Sequence, residues 1–305
     1  MNKEDLGLLE VIADMKGTPS GAYNIRKDGN GVERKVTENV NIVTKKEVSG
    51  IDIFVKENTK NETIYIPVIV TIGGLKDVTY NDFYIGKNAS VTIVAGCGIH
   101  NDCHEDSQHD GIHRFFLEEG ASVKYIEKHY GEGKGTGGRI LNPVTEINLK
   151  DKATMELESI QIKGVDSTVR VTKADLEGSA KLVINEKIMT TGEQYASTEF
   201  EVNLDGEDSS VQVNSRSVAT EKSLQKFVSK VMGNNKCFAH VSCDAIIKDE
   251  AKVTSIPEIT AANVDATLIH EAAIGKIAKE QLVKLMTLGF SAEEAEEKII
   301  EGFLK

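Results

Sequence analysis

The sequence has no tryptophan, only 4 prolines and 4 cysteines among 305 residues, and 5% aromatic side chains. Scarce proline beside recurrent Val, Ile and Thr favours long strands over a proline-punctuated loop protein. Four cysteines are too few for a disulfide framework. Positive charge is also short, since 36 Lys+Arg face 48 Asp+Glu for a net charge of −12. With few aromatics to stack bases, that balance points away from nucleic acid and from anionic membrane surfaces. Long hydrophobic runs are missing as well. The most apolar stretch, Ile64 to Leu75, is broken by Pro67 and two glycines and falls short of the roughly 20 residues a bilayer span needs. Met1 to Asp5 carries two acids where a secretory leader would carry bases. The expectation is a cytoplasmic protein with reduced thiols and no nucleic acid or membrane partner.

What is present is a repeat. An apolar residue, a short polar turn, a small residue and then alternating apolar positions recur at Ile85–Val91, Leu117–Val123, Leu149–Met155 and Leu176–Leu182, more loosely at Leu204–Val211, and again at Ile247–Val253. The first alanines of these units are spaced by 32, 32 and 27 residues, a step that persists through insertions as stacked coils would. Period-2 alternation flanks each turn, and helical periodicity is missing between about residues 50 and 255. A mainly β solenoid follows, with a sandwich of hairpins as the competing architecture. Ahead of it, Glu4 to Met15 has helical spacing, stopped by Gly17, and Thr18 to Val40 reads as loop. Behind it, Ile274, Ile277, Ala278, Leu282 and Leu285 have helical spacing, and Ser291 to Glu294 is a capping box opening a second helix along Ala295, Ile299 and Phe303. The expected division is 1–40, a β-helix core over 41–264, and a helical segment over 265–305. Those two helices either cap the open end of the solenoid or offer a docking face.

Two constellations carry potential chemistry. Five of the seven histidines and two cysteines lie between Cys97 and His129. The set Cys97, His100, Cys103, His104 and His113 mixes soft and borderline ligands that suit zinc or iron, although the spacing matches no zinc-ribbon pattern; a zinc-dependent enzyme is the alternative it supports. His113 stands four residues before Leu117 as Cys243 stands four before Ile247, which suggests one phase of the repeat. Cys243 and His270 form the second constellation with Glu271. They are 27 residues apart, about one coil, so thiol, imidazole and carboxylate are expected to face one another across adjacent strands. Gly133 to Gly138 satisfies G-x-G-x-x-G, but the following Arg139-Ile140-Leu141-Asn142-Pro143 is no helix, and a dinucleotide fingerprint requires one. Any nucleotide-driven step then belongs to a partner. A polysaccharide-processing β-helix enzyme is a further class, disfavoured by the missing export signal.

The last third carries Cys243-Asp244-Ala245-Ile246-Ile247, Ile256-Pro257-Glu258-Ile259, Leu268-Ile269-His270-Glu271-Ala272, Gly275-Lys276-Ile277, Glu280-Gln281-Leu282, Leu288-Gly289 and Glu294-Ala295. This series resembles the SufB/SufD family, scaffold components of the SUF iron–sulfur cluster assembly system, over roughly residues 40–304. The resemblance implies a right-handed parallel β-helix with a short N-terminal helix and a C-terminal helical segment that docks a SufC-like ABC ATPase. It further implies a second β-helix subunit, a copy of this chain or a SufD-like one, and sulfur supplied through a cysteine desulfurase. A transient iron–sulfur cluster would be held by Cys243 and Glu271, with His270 where SufD-type members keep a histidine. Ile277, Leu282, Leu285, Ile299 and Phe303 become the expected ATPase contacts. Flavin enters by the resemblance alone. Two departures stand out: no cysteine precedes Cys97, whereas longer SufB proteins cluster cysteines in an N-terminal region, and Ser242 precedes the cysteine where short members often have an acid.

Overall fold

A computed structural model describes residues 1–305. It is a β-solenoid of about eight turns with three short helices near its termini. Successive strands alternate between two sheets, so each pairs in parallel with the strand two further along. One sheet stacks Ser90–His100, Ser122–Glu132, Thr154–Lys163, Lys181–Thr190, Ser209–Ala219, Cys237–Ile247 and Thr267–Gly275. Facing it, the second stacks Lys76–Ile85, Ser107–Leu117, Val144–Leu149, Ser167–Leu176, Tyr195–Leu204, Leu224–Gly233 and Lys252–Ala261. Antiparallel pairing occurs only at the N-terminal end, in the hairpins Ala22–Lys27/Asn30–Lys35 and Val40–Thr44/Gly50–Val55. The stretch read as loop therefore contains the first of these hairpins. No helix is long and apolar enough to cross a membrane.

The corners explain the repeat. At Asn88, Gly120, Lys152 and Ser179 the backbone takes a left-handed φ of 56°, 67°, 58° and 54°, and the alanine that follows donates its N–H to the carbonyl three residues back. Ala89, Ala121, Ala153 and Ala180 are fully buried, because the corner brings two sheets too close for a larger side chain. Corners hydrogen-bond to one another from coil to coil, as Asn88 N to Glu119 O and Gly120 N to Asp151 O. Ile247–Val253 belongs to the other edge. The four alanine corners lead from the second sheet into the first, whereas Ile247–Lys252 leads from the first into the second. His113 and Cys243 therefore do not share a phase: they lie on opposite sheets.

The interior is divided lengthwise. Beside the alanine corners it is filled by Ile, Val, Leu and Phe, with Phe83 stacked on Phe115 at 4.4 Å. Beside the opposite edge the inward positions turn polar.

The helices lie outside the barrel. Helix α1 (Lys3–Ala13) opens on a capping box between Asn2 and Asp5 and buries Leu8, Leu9, Ile12 and Ala13. It lies on the outer face of the first sheet over Gly96, where a Cβ would come within 2.2 Å of the Ile12 carbonyl oxygen. Close approach thus depends on glycine. Gly96→Val is expected to unseat α1 at a cost of about 1–3 kcal/mol. Hydrogen exchange should quicken across residues 3–13 while the solenoid strands keep their protection.

Helices α2 (Lys279–Thr287) and α3 (Ala292–Phe303) touch each other. Lys248 pairs with Glu296 at 2.8 Å, and Lys187 and Arg216 donate to the carbonyls of Lys305 and Phe303. These bonds tie α3 to the outer side of the first sheet, so the helices do not cap the open end. The last coil accordingly leaves Ile256, Ile259 and Val264 exposed. Helix α2 begins later than the apolar spacing predicts, because Ile274 ends a strand that pairs with Cys237–Ile247 and Ile277 lies in the connection.

Candidate functional site

Strand alternation and register place each candidate residue. In the first sheet, the inward position of successive coils is occupied by Ala95, Glu127, Ser159, Glu186, Ser215, Cys243 and Ala272. Cys243 is 2% exposed. Burial pushes its thiol up to about 11, with the carboxylates of Glu186 and Asp244 adding to the rise and Ser255 opposing it, so the sulfur is protonated at neutral pH. It borders a void of about 20 Å³ shared with Glu186, Thr198, Ser215 and Phe227, room for about one water-sized guest.

Cys243 pairs with Ala272, 29 residues on, and not with His270. His270 pairs with Val241 and so faces inward, two residues away along the neighbouring strand. Its Nδ1 meets Ser229 Oγ at 3.3 Å, and its Nε2 is buried without a partner. Burial lowers its pKa, which keeps the ring neutral and leaves Nε2 as the nitrogen free for a ligand. Glu271 faces the other way. It pairs with Ser242 on the outer face, where its carboxylate lies 3.4 Å from His240 Nε2. The expected convergence of three side chains is corrected here: within one chain, Cys243 and His270 share the interior, and the sheet separates them from Glu271. Strand alternation is the reason: Glu271 follows His270 directly and points to the opposite face in either register, while the period of 29 rather than 27 sets Ala272, not His270, beside Cys243.

The Cys97–His113 set is dispersed. Cys97 and His113 face inward and are buried. His100 sits at the edge, 3.2 Å from both Glu132 and Asp102; partial burial would lower its pKa, but these two hydrogen bonds raise it. Cys103 and His104 are exposed, the latter 2.7 Å from Thr136. No group of three or more His, Cys, Asp and Glu side chains is arranged to hold a metal ion. The glycine-rich stretch forms a loop laid on residues 101–106, where Cβ atoms at Gly133, Gly135 and Gly137 would strike backbone at about 2.2 Å. Those glycines serve loop stacking, and a strand follows them.

Sequence reasoning missed a network of buried charges along the polar half. Tyr125 OH donates to Glu127 at 3.0 Å and therefore accepts from His113 Nδ1 at 2.5 Å. Arg170 reaches in from the second sheet, donating to Glu127 Oε2 and meeting His129 Nδ1 at 3.0 Å. Its Nε lies 3.8 Å from Glu186, which also accepts from Thr198 at 2.8 Å and Ser215 at 2.7 Å. Burial opposes ionisation of Glu127, but Arg170 overcomes it and holds the carboxyl at about 2; Glu186, less well partnered, is raised by burial. Burial drives His113 down to about 4 and His129 to about 3. This tract ends at Ser215, the coil neighbour of Cys243. Its signal in the sequence was the charged residues Glu127, Arg170 and Glu186 at inward positions, legible only once the register is known.

The expected ATPase contacts Leu282, Leu285, Ile299 and Phe303 are half-buried, as is Ile277. Exposed instead are Val283, Met286, Leu288 and Phe290, at 58%, 46%, 71% and 37%, an apolar set that sequence spacing did not single out.

A family model described as SUF system FeS cluster assembly, SufBD core domain, matches residues 78–303. The chain is 27% identical over 227 residues to an iron–sulfur cluster assembly SufBD family protein of Methanothermobacter thermautotrophicus, covering 72% of this chain and 53% of that protein. Another SufBD family protein, from Methanocaldococcus jannaschii, is 24% identical over 312 residues and 97% of each chain. Iron–sulfur cluster assembly protein SufB of Bacillus subtilis is 26% identical over 231 residues, 72% of this chain and 47% of that one. The chain thus spans about half the length of the first and third of these and nearly all of the second.

Proposed function

Because the chain belongs to the SufBD family of iron–sulfur cluster assembly proteins, we propose that it is a scaffold on which a nascent cluster is built, with Cys243 and His270 as its own ligands. The observation that carries this is their shared inward placement on the last two strands of the first sheet, Cys243 beside a small void and His270 with a free Nε2. The cluster is cargo. Thiolate is iron's preferred protein ligand, and imidazole or carboxylate ligands hold a cluster less firmly than four thiolates, which suits a protein that must hand its product on.

Burial sets the condition for this chemistry. A thiol held near 11 ligates only after losing its proton, so the last coil must open before iron or sulfide reaches Cys243. That coil is the end of both sheets, its strands Lys252–Ala261 and Thr267–Gly275 presenting unpaired edges. Such edges invite pairing with another chain, and a second β-helix subunit, a copy or a SufD-like chain, is the proposed occupant. Glu271, on the outer face, then serves a partner-completed site. Val283, Met286, Leu288 and Phe290 are proposed as the face that takes a SufC-like ABC ATPase, whose cycle supplies the work of opening. Sulfur arrives from a cysteine desulfurase, and the thiols call for a reducing compartment. The protein has no nucleotide chemistry of its own in this reading, and flavin forms no part of it.

Anaerobic reconstitution with ferrous iron and sulfide, on the chain co-purified with its ATPase, tests the assignment. Cys243→Ser is expected to lose most of the visible absorption and bound iron, while Cys103→Ser keeps both. Full cluster content in Cys243→Ser would falsify it. Leu288→Asp should release the ATPase from the complex without unfolding the solenoid.

A further inference from the structure

Cys243 shares its void with a carboxylate that the scaffold reading leaves unused. Glu186 points inward two coils earlier in the first sheet, and only Ser215 stands between it and Cys243 in the ladder. Strands in a sheet lie about 4.8 Å apart, which sets the two backbones roughly 10 Å from each other. Ser215 is small, and the void of about 20 Å³ is bordered by all three residues. It has room for about one atom-sized guest.

The interior carboxylates are not equally compensated. Asp77 is paired with Arg26, and Glu127 with Arg170. Glu186 is 1% exposed and accepts from two neutral hydroxyls, Thr198 at 2.8 Å and Ser215 at 2.7 Å. Its one cationic partner, Arg170 Nε, stands 3.8 Å away. Buried charges are normally paired or coordinate a metal. The carboxylate still has lone pairs to give, because it offers about four acceptor sites and the two hydroxyls occupy half of them. A ferrous ion at Cys243 poses the complementary problem. It brings two positive charges, of which the thiolate cancels one and the neutral imidazole of His270 cancels none. Glu271 is on the outer face, so the missing anion has to come from within.

Resting on the scaffold reading, we propose that Glu186 is the second anionic ligand of the first ferrous ion to reach Cys243, and that the two side chains hold the ion in the void between them. The Cys243 S–H bond breaks as the S–Fe bond forms, the proton leaves through the opened last coil, and the iron stays ferrous. One thiolate and one carboxylate then balance both charges of the ion. That neutrality matters because an uncompensated charge in the interior is strongly destabilising. The first iron is thus taken up by one chain before any partner ligand engages.

Anaerobic titration of the full chain with cobaltous ion, alone and co-purified with its ATPase, tests this in a Cys103→Ser parent that lacks the exposed thiol. Cobalt accepts the same ligands as ferrous iron, and its thiolate charge-transfer band reports bonding to Cys243 without any cluster. One cobalt per chain is expected, with the band lost in Cys243→Ser. Glu186→Gln keeps the side-chain volume and can keep both hydroxyl partners, yet should weaken binding about tenfold or more. Glu158→Gln, at an outward position of the same sheet, should leave the affinity unaltered. Thermal melting without metal reports separately on folding, and added cobalt should raise the melting temperature of the parent more than that of Glu186→Gln. An affinity of Glu186→Gln within about twofold of the parent's, with the band still lost in Cys243→Ser, overturns the role of Glu186 and leaves the scaffold reading standing. No band in the parent in either form overturns the proposal. A band that survives Cys243→Ser overturns the assignment of Cys243 along with it.

Discussion

Arg170→Leu is expected to lower the free energy of unfolding by about 3–5 kcal/mol, the usual penalty for removing one partner of a buried ion pair. Leucine fills much of the arginine's apolar volume, so the loss is electrostatic. Glu127, Arg170 and Glu186 have side chains no more than 3% exposed, and one guanidinium serves both carboxylates. In its absence Glu127 keeps only the Tyr125 hydroxyl as a hydrogen-bond donor, with His129 Nε2 3.8 Å away, and the carboxyl that Arg170 held at about 2 has to take up a proton or carry an uncompensated charge in the core. Two consequences separate this account from a packing defect. Adding Glu127→Gln to Arg170→Leu should recover half or more of the loss, because the buried charge is gone and the amide still has partners. The gap between the single variant and the wild type should also narrow on acidification, as Glu127 protonates in the variant. Urea unfolding at pH 7.5 and 5.5 measures both. An unrescued double variant with a pH-independent gap would leave the network without an energetic role.

That network marks the boundary of what the sequence disclosed. The solenoid was legible because its corners are local: a residue of positive φ followed by a buried alanine recurs in the chain itself at Asn88-Ala89, Lys152-Ala153 and Ser179-Ala180. Helix α3 was legible for the same reason, since Ser291 and Glu294 form the capping box within three residues. Long-range register was not. Counting 27 residues from Cys243 to His270 puts both on adjacent strands, which holds, but the true step is 29, and Glu271 fails to join them because neighbouring residues of a strand point to opposite faces. Equating Ile247–Val253 with the alanine corners misplaced Cys243 by half a coil, because a solenoid with two edges offers two similar turns. The hairpin Ala22–Lys27/Asn30–Lys35 was lost to its polar composition: its second strand is exposed along its whole length, so no alternation betrays it. Nothing local to Glu127, Arg170 or Glu186 marks them as interior; only the stacking of the coils turns all three inward.

Acidification from pH 7 to 5 is expected to cost about 4 kcal/mol of stability, roughly 2 kcal/mol from each of two histidines. Burial depresses His113 to about 4 and His129 to about 3, against 6.5 for an unstrained ring. Between pH 6.5 and 4 the unfolded chain therefore binds two protons that the folded chain refuses, and stability falls as the pH falls. Glu127 adds to the loss only below its unfolded value near 4.5, as the pH drops toward its folded value of about 2. Glu186 and His100, both raised, act in the opposite direction and blunt the slope without reversing it. Urea midpoints across pH 5 to 7.5 measure the effect, and the double variant His113→Gln/His129→Gln should flatten it. A wild-type midpoint that does not move over that range would mean that the interior admits protons to both rings, and a polar tract open to protons is not the sealed one whose burial keeps Cys243 a thiol.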